Sequence, residues 1–270
     1  MIAELPPVAA RSRLADLFGA RAIPRGANAG LVFDRYLRIW APLEPMLQGP
    51  LSREAMKSAN LVDDLKHFVS DYETLRAAGE PLLQEAHQRL AAIAPSPPTI
   101  VRFTSRFVTG LGAAHPLENG FAFDRTVGAP VIAGSGVKGM CRARAKEDLD
   151  KETLRRLFGP DVEDSTHAVG DLVFLPALPA RWPKLEVDLV NCHHPRYMEG
   201  LLKEPVDVES PVPVSFLTVA AGTDFVFRLL SRSCEKESEK VGTRLLRDGL
   251  EILGIGAKTA VGYGTGTPVS

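Results

Sequence analysis

The string GSGVKG sets Gly134, Ser135, Gly136, Val137, Lys138 and Gly139 in a row, ahead of a segment of helical composition. Bare backbone, a hydroxyl and an ammonium at a helix start are the ingredients of an anion site. Glycine lets a ligand approach the main chain, and the first N–H groups of a helix have no intrahelical acceptor. Ser135 can cap the helix or bond a phosphate oxygen. Lys138 is placed in the first turn, where a cation opposes the helix dipole unless an anion lies nearby. Arg142 and Lys146 follow at intervals of four and extend a basic edge. The string is not the nucleoside-triphosphate loop G-x-x-x-x-G-K-[ST], because Val137 separates Gly136 from Lys138 and Gly139 follows the lysine. It does match G-x-G-x-x-G, but no acidic residue closes a second parallel strand about 20 residues on. The alternative reading is a tight turn followed by a solvated basic helix.

A second loop repeats the chemistry. LGIGAKTAVGYGTG carries Gly254, Gly256, Gly262, Gly264 and Gly266, with Lys258, Thr259 and Tyr263 among them. A third, GLGAAHPLENG, spans Gly110 to Gly120 and holds His115, Glu118 and Asn119. Three glycine-rich loops on one sheet suit a long polyanion better than a single nucleotide. His115, His193 and His194 are the candidate general acids or bases. None has a second catalytic partner at a telling position, so a structural or ligand-contacting role is favoured. Glu186 and Asp188 share a strand face near His193, which is half a metal site at most. No metal and no cofactor are expected.

The elements that must position these residues follow from pattern. Helical spacing marks Leu61, Leu65, Phe68, Tyr72 and Leu75, with Ser52 as a cap, and a further helix begins at Pro81 and stops at the cluster Pro95–Pro98. Leu31, Tyr36, Leu37 and Trp40 have mixed helical spacing, and residues 1–30 read as an irregular arm. Beyond Pro98 the period becomes two. Val101, Phe103 and Phe107 share one strand face, Arg102, Thr104 and Arg106 the other. GFAFDRTVG and APVIAG read as a second strand and its turn, and GDLVFLPALP, KLEVDLVNC, VPVSFLTV and TDFVFRLLS read as strands. Val137–Leu157 reads as a helix, as does the amphipathic segment ending at Gly254. The predicted organisation is an arm and helical addition over residues 1–95 and a body over 96–270. The predicted class is α+β, a ferredoxin-like sandwich with an antiparallel sheet.

Composition bounds the function. The 270 residues are 45 % hydrophobic and carry a net charge of −1, so only local charge can argue for nucleic acid. Val101–Lys146 holds seven basic residues against two acids, and Glu186–Glu209 six acids against two basic residues. Three cysteines with no CxxC fit neither a disulfide framework nor a zinc site and point to a reducing cytoplasm. No signal peptide or membrane span is expected.

These motifs together resemble a known family. TGLGAAHPLENGFAFDRTVGAPVIAGSGVKGMCRARA is similar to the run of RAMP-superfamily CRISPR proteins from a G-L-G loop through E-N-G to a G-S-S-[LV]-K-G-x-x-R turn. NAGLVFDRYLRIW, KLEVDLVNCHHPRY, PVPVSFLTVAAGTDFVFRL and ILGIGAKTAVGYG resemble the sixth-subunit family of the type III-B (Cmr) effector complex. The resemblance implies a ferredoxin-like (RRM-like) RAMP core with helical additions and a non-catalytic role. Its implied partners are guide crRNA near the 3′ end, target RNA and other Cmr-complex RAMP subunits. It implies that Gly134–Gly139 with Arg142, and Gly254–Gly264 with Gly256, Lys258 and Thr259, contact the guide. His115 and Asn119 join them as RNA-contacting candidates. The family's second serine is Gly136 here, so one hydroxyl contact is lost. The rivals are a repeat-cleaving endoribonuclease using His115 or His193 and a purely structural assembly protein.

Overall fold

In the computed structural model, the described residues are 26–35, 61–113, 115, 119–161, 168–192, 197, 200–201, 203–204 and 212–269. Residues 1–25 of the predicted arm, Tyr36, Leu37, Trp40, the Ser52 cap, Glu118, His193 and His194 lie outside them, and Ala29 and Gly30, read as part of that irregular arm, are helical. Three helices come first: α1 (Ala29–Arg35), α2 (Leu61–Thr74) and α3 (Arg76–Ile93). Then follow β1 (Thr99–Phe103), α4 (Gly134–Asp148), α5 (Lys151–Phe158), β2 (Leu172–Phe174) and β3 (Leu178–Pro179). The chain continues through β4 (Leu185–Cys192), β5 (Val212–Val219), β6 (Asp224–Phe227) and β7 (Leu229–Ser231). It ends with α6 (Lys236–Ile252) and β8 (Gly266–Pro268).

The central sheet has the order β3-β6-β1-β8 and every neighbouring pair is antiparallel. With α4 between β1 and β3 and α6 between β6 and β8, this is the βαββαβ order of a ferredoxin-like sandwich. The α+β class read from the sequence is the class observed. β1 alternates as its period demands: Val101 and Phe103 point into the core, Ile100 and Arg102 away. Phe103 stacks on Phe107 at 4.9 Å and meets the edge of Phe225 at 5.2 Å. Onto that face α4 sets Val137, Met140, Cys141 and Ala145, and α6 sets Leu245, Leu246 and Leu250. Burial pushes the Cys141 thiol up to about 12, so it is an inert core group.

α4 and α6 run antiparallel. Met140 lies against Gly249, where an added Cβ would meet its methyl carbon at 3.2 Å, and Arg244 reaches Asp148 at 3.1 Å. The start of α4 and the end of α6 therefore share one end of the molecule. Two small sheets complete the body, β2–β7 and the long hairpin β4–β5. α2 lies on that hairpin. α3 lies beside β3, where Gly79 admits the Trp182 indole, Glu80 accepts from the Trp182 N–H at 2.8 Å and His87 reaches the Pro179 carbonyl at 2.9 Å.

Several boundaries differ from the sequence reading. The two early helices break at Leu75, and Pro81 lies inside α3, held there by the packing of Gly79 on Trp182. α4 begins three residues before Val137, so the glycines are inside the helix. It stops at Asp148, and Asp150 caps a separate α5 by accepting from the Thr153 N–H at 2.9 Å. GFAFDRTVG and APVIAG form isolated bridges, Phe123 to Pro130 and Ile132 to Ala177, rather than a strand and its turn.

Candidate nucleic-acid interface

The first elbow is the start of α4. Ala133 is its N-cap, and no side chain closes it, so Ser135 does not act as the cap. Lys138 is the fifth helical residue and stands in the second turn. Ser135, Gly136 and Gly139 are exposed, and Lys138 is half-buried. A Cβ at Gly136 or Gly139 would meet nothing within 4 Å, whereas one at Gly134 would strike the Phe174 carbonyl. Gly134 thus seats the helix on β2, and the next two glycines leave the main chain open to an approaching ligand. Val137 turns into the core.

The second elbow, Gly254–Gly264, is built differently. Gly254, Gly256, Gly262 and Gly264 all have positive φ, and Lys258 joins them at φ 62. The loop closes on itself through Ile255 N–H to the Gly264 carbonyl at 2.9 Å. It docks on the strand extension after β1 through Ala257 N–H to Val108 O at 2.9 Å and Gly264 N–H to Arg106 O at 2.8 Å. A Cβ at Gly256 would strike the Val108 carbonyl and one at Gly264 the Ile255 carbonyl. Thr259 opens a short 3₁₀ turn and is half-buried. The Lys258 ammonium lies 5.2 Å from the centre of the Phe216 ring.

The elbows are joined by a short path. Val108 holds the second, and the next residue, Thr109, donates to the Val131 carbonyl at 2.9 Å. Val131 precedes the first elbow by three residues. Both therefore lie at the end of the sheet where β1 finishes and β8 begins.

The other candidates face inward. His115 stacks on the Phe33 ring at 4.3 Å and donates from Nε2 to the Phe33 carbonyl at 3.1 Å. Burial lowers its pKa and keeps the ring neutral. Asn119 donates to the Ser215 carbonyl at 3.3 Å. Arg142, four residues beyond Lys138, turns away from the elbow. Its guanidinium donates to the carbonyls of Gly159 and Pro160, each at 3.2 Å, and to Asp161 at 2.9 Å. Lys146 follows it to Asp161 at 3.8 Å. The basic edge of α4 therefore reaches the ligand end only at Lys138.

The sequence reading missed a network beneath the second elbow. Arg106 donates to Glu186 at 3.1 Å and to Asp188 at 2.6 Å, and the Tyr263 hydroxyl donates to the same Asp188 oxygen at 2.6 Å. Lys184 reaches Glu186 at 3.3 Å. Burial pushes the Asp188 pKa up, but donation from Tyr263, the Leu189 N–H and Arg106 outweighs it and leaves the carboxyl below its ordinary range. Glu186 and Asp188, read as half a metal site, instead hold Arg106, Lys184 and Tyr263. Among the described residues no three metal-ligating side chains converge, and no helix is long and apolar enough to cross a membrane. The alternation of Glu186 and Asp188 along β4 was the available signal; Arg106 and Tyr263, which bind them, lie 75 to 82 residues away.

The chain is similar to known proteins over most of this body. It is 30 % identical to CRISPR system Cmr subunit Cmr6 of Pyrococcus furiosus, over 59 % of this chain and 64 % of that protein. It is 28 % identical to CRISPR system CMR subunit Cmr6 of Saccharolobus solfataricus, over 54 % and 47 % respectively. The chain thus spans less than two thirds of the length of these curated relatives. One chain of the cryo-EM structure of the Type III-B Cmr-beta bound to cognate target RNA shares its fold, with a TM-score of 0.61 over 98 % of both chains at 17 % identity. The model of the RAMP superfamily matches residues 100–266, a span that takes in both elbows, the central sheet and the β4–β5 hairpin, and the chain belongs to that superfamily.

Proposed function

We propose that this chain is a non-catalytic, RNA-binding subunit of a type III-B CRISPR (Cmr) effector complex. It holds guide crRNA near its 3′ end and supports target RNA binding beside other Cmr subunits. The observation that carries the reading is the pair of elbows at one end of the α4–α6 layer. One offers open backbone with Lys138, the other Lys258. The names of the relatives, both Cmr subunits, supply the assembly. Contacts of this kind go to phosphates, so they position a strand without reading its sequence. Each lysine that meets a phosphate of a single strand contributes about 0.7 to the salt slope of binding. Two lysines on a chain of net charge −1 bind weakly alone, so neighbouring subunits complete the track.

The test is a guide-RNA titration at several salt concentrations. Lys138→Ala with Lys258→Ala lowers affinity and flattens the slope by about 1.4. An unchanged slope in a correctly folded double variant refutes the assignment. The endoribonuclease reading meets a geometric obstacle in His115, whose Nε2 is engaged by the Phe33 carbonyl. Discrete cleavage of repeat RNA that is lost in His115→Ala would reinstate it.

A further inference from the structure

We infer that Phe216 is the positioning residue of the second elbow: its ring holds the Lys258 ammonium in place without neutralising it, ready for a phosphodiester of single-stranded RNA. The inference rests on reading that loop as a phosphate contact.

Three observations converge on it. Lys258 adopts φ 62, and among the described residues only Cys234 is another non-glycine with positive φ. A side chain in that region costs about 1 kcal/mol or more, so glycine would be cheaper unless the side chain has work there. The direction it takes is over Phe216, at a distance where a cation is attracted to a ring face. The carboxylates nearby are already taken. Asp188 is the cross-strand partner of Phe216, and Glu186 stands two residues along the same face of β4. Both are saturated by Arg106, Lys184 and the Tyr263 hydroxyl.

The arrangement divides the cations of this end into two kinds. Arg106 and Lys184 are bound to acids, and an anion would have to displace a carboxylate to reach them. Lys258 has the ring beneath it in place of a carboxylate, so its ammonium can bond a phosphate while its stem stays over Phe216. Phe216 itself is 2 % exposed and fixed in the hairpin, so the ring is a rigid seat. Tyr263, 6.1 Å from that ring and tied to Asp188, locks the loop onto it.

The experiment uses the full chain and a fluorescent single-stranded oligouridylate, titrated at low and rising salt, with thermal melts of every variant. Lys258→Met lowers affinity and flattens the slope by about 0.7. Phe216→Leu lowers affinity about two- to fivefold, the range of a partly exposed cation–π contact, and leaves the slope unchanged. Phe216→Tyr, which keeps the ring, restores wild-type binding. Phe216→Leu binding as tightly as the unsubstituted chain overturns the inference while the phosphate reading survives. A slope that falls in Phe216→Leu as it does in Lys258→Met also overturns it, since the loop has then lost its shape. Should Phe216→Leu fail to fold, proton NMR of the unsubstituted chain decides. The Lys258 ε-methylene resonates upfield under the ring and stays upfield as RNA is added; an unshifted methylene in the free protein, or one that returns to its ordinary position on binding, sinks the idea. No binding by the unsubstituted chain at low salt overturns the RNA reading and this inference together.

Discussion

The two elbows look alike as strings and differ as structures. In α4 the glycines Gly136 and Gly139 face open space, so their lack of a side chain matters to whatever comes near. In Gly254–Gly264 the glycines are consumed by the fold. Four have positive φ, and Gly256 and Gly264 press on carbonyls of the neighbouring backbone. Glycine buys access at the first elbow and curvature at the second. The contrast extends to the lysines. Lys138 stands on a helix with no ion-pair partner among the described residues, while Lys258 is bent by its own backbone onto an aromatic ring.

The sharpest way to break this contrast is Gly264→Ala. The new methyl would overlap the Ile255 carbonyl at φ 74, and we expect a loss of about 3 kcal/mol or more in the unfolding free energy, read from denaturant titration. A stability within error of wild type would show the second loop to be as permissive as the first. A smaller effect comes from acid. The Asp188 carboxyl, held below its usual range, contributes stability that is present above about pH 4 and is lost as pH falls through its folded pKa. Asp188→Asn should therefore melt below wild type at neutral pH, with the gap closing under acid. The α4 elbow rests on Phe174 backbone and has no share in that titration. A gap independent of pH would remove Asp188 from the account. The smallest effect is Gly136→Ala, which gains roughly 0.5 kcal/mol because the helix accepts the methyl freely. The same methyl stands where a strand would approach, so RNA affinity should fall as stability rises. Both quantities rising together would leave the first elbow without a ligand.

How much of this was legible depends on sequence distance. GSGVKG announced a helix start, and the alternation of Val101 and Phe103 announced a strand, because both are local patterns. The α+β class followed from the order of those patterns. Arg142 was misjudged because the groups it binds, Gly159 to Asp161, are 17 to 19 residues on and belong to the end of another helix. The seat of Lys258 was invisible for the same reason. Phe216 reads as one more strand hydrophobe, and nothing within ten residues of it names a lysine. Helical spacing found α2 but missed the break at Leu75, since the packing of Gly79 on Trp182 overrides the proline signal.

That indole has a last consequence. Trp182 stacks on Tyr72 of α2 at 4.7 Å and bonds its carbonyl at 3.3 Å, while Gly79 of α3 leaves room for its outer ring. The RAMP match begins at residue 100, after both helices. A polypeptide shortened to that match would bare a tryptophan and the aromatic cluster around it, and would aggregate. The two early helices therefore cover an indole of the matched body, with Glu80 and His87 adding polar ties to Trp182 and Pro179.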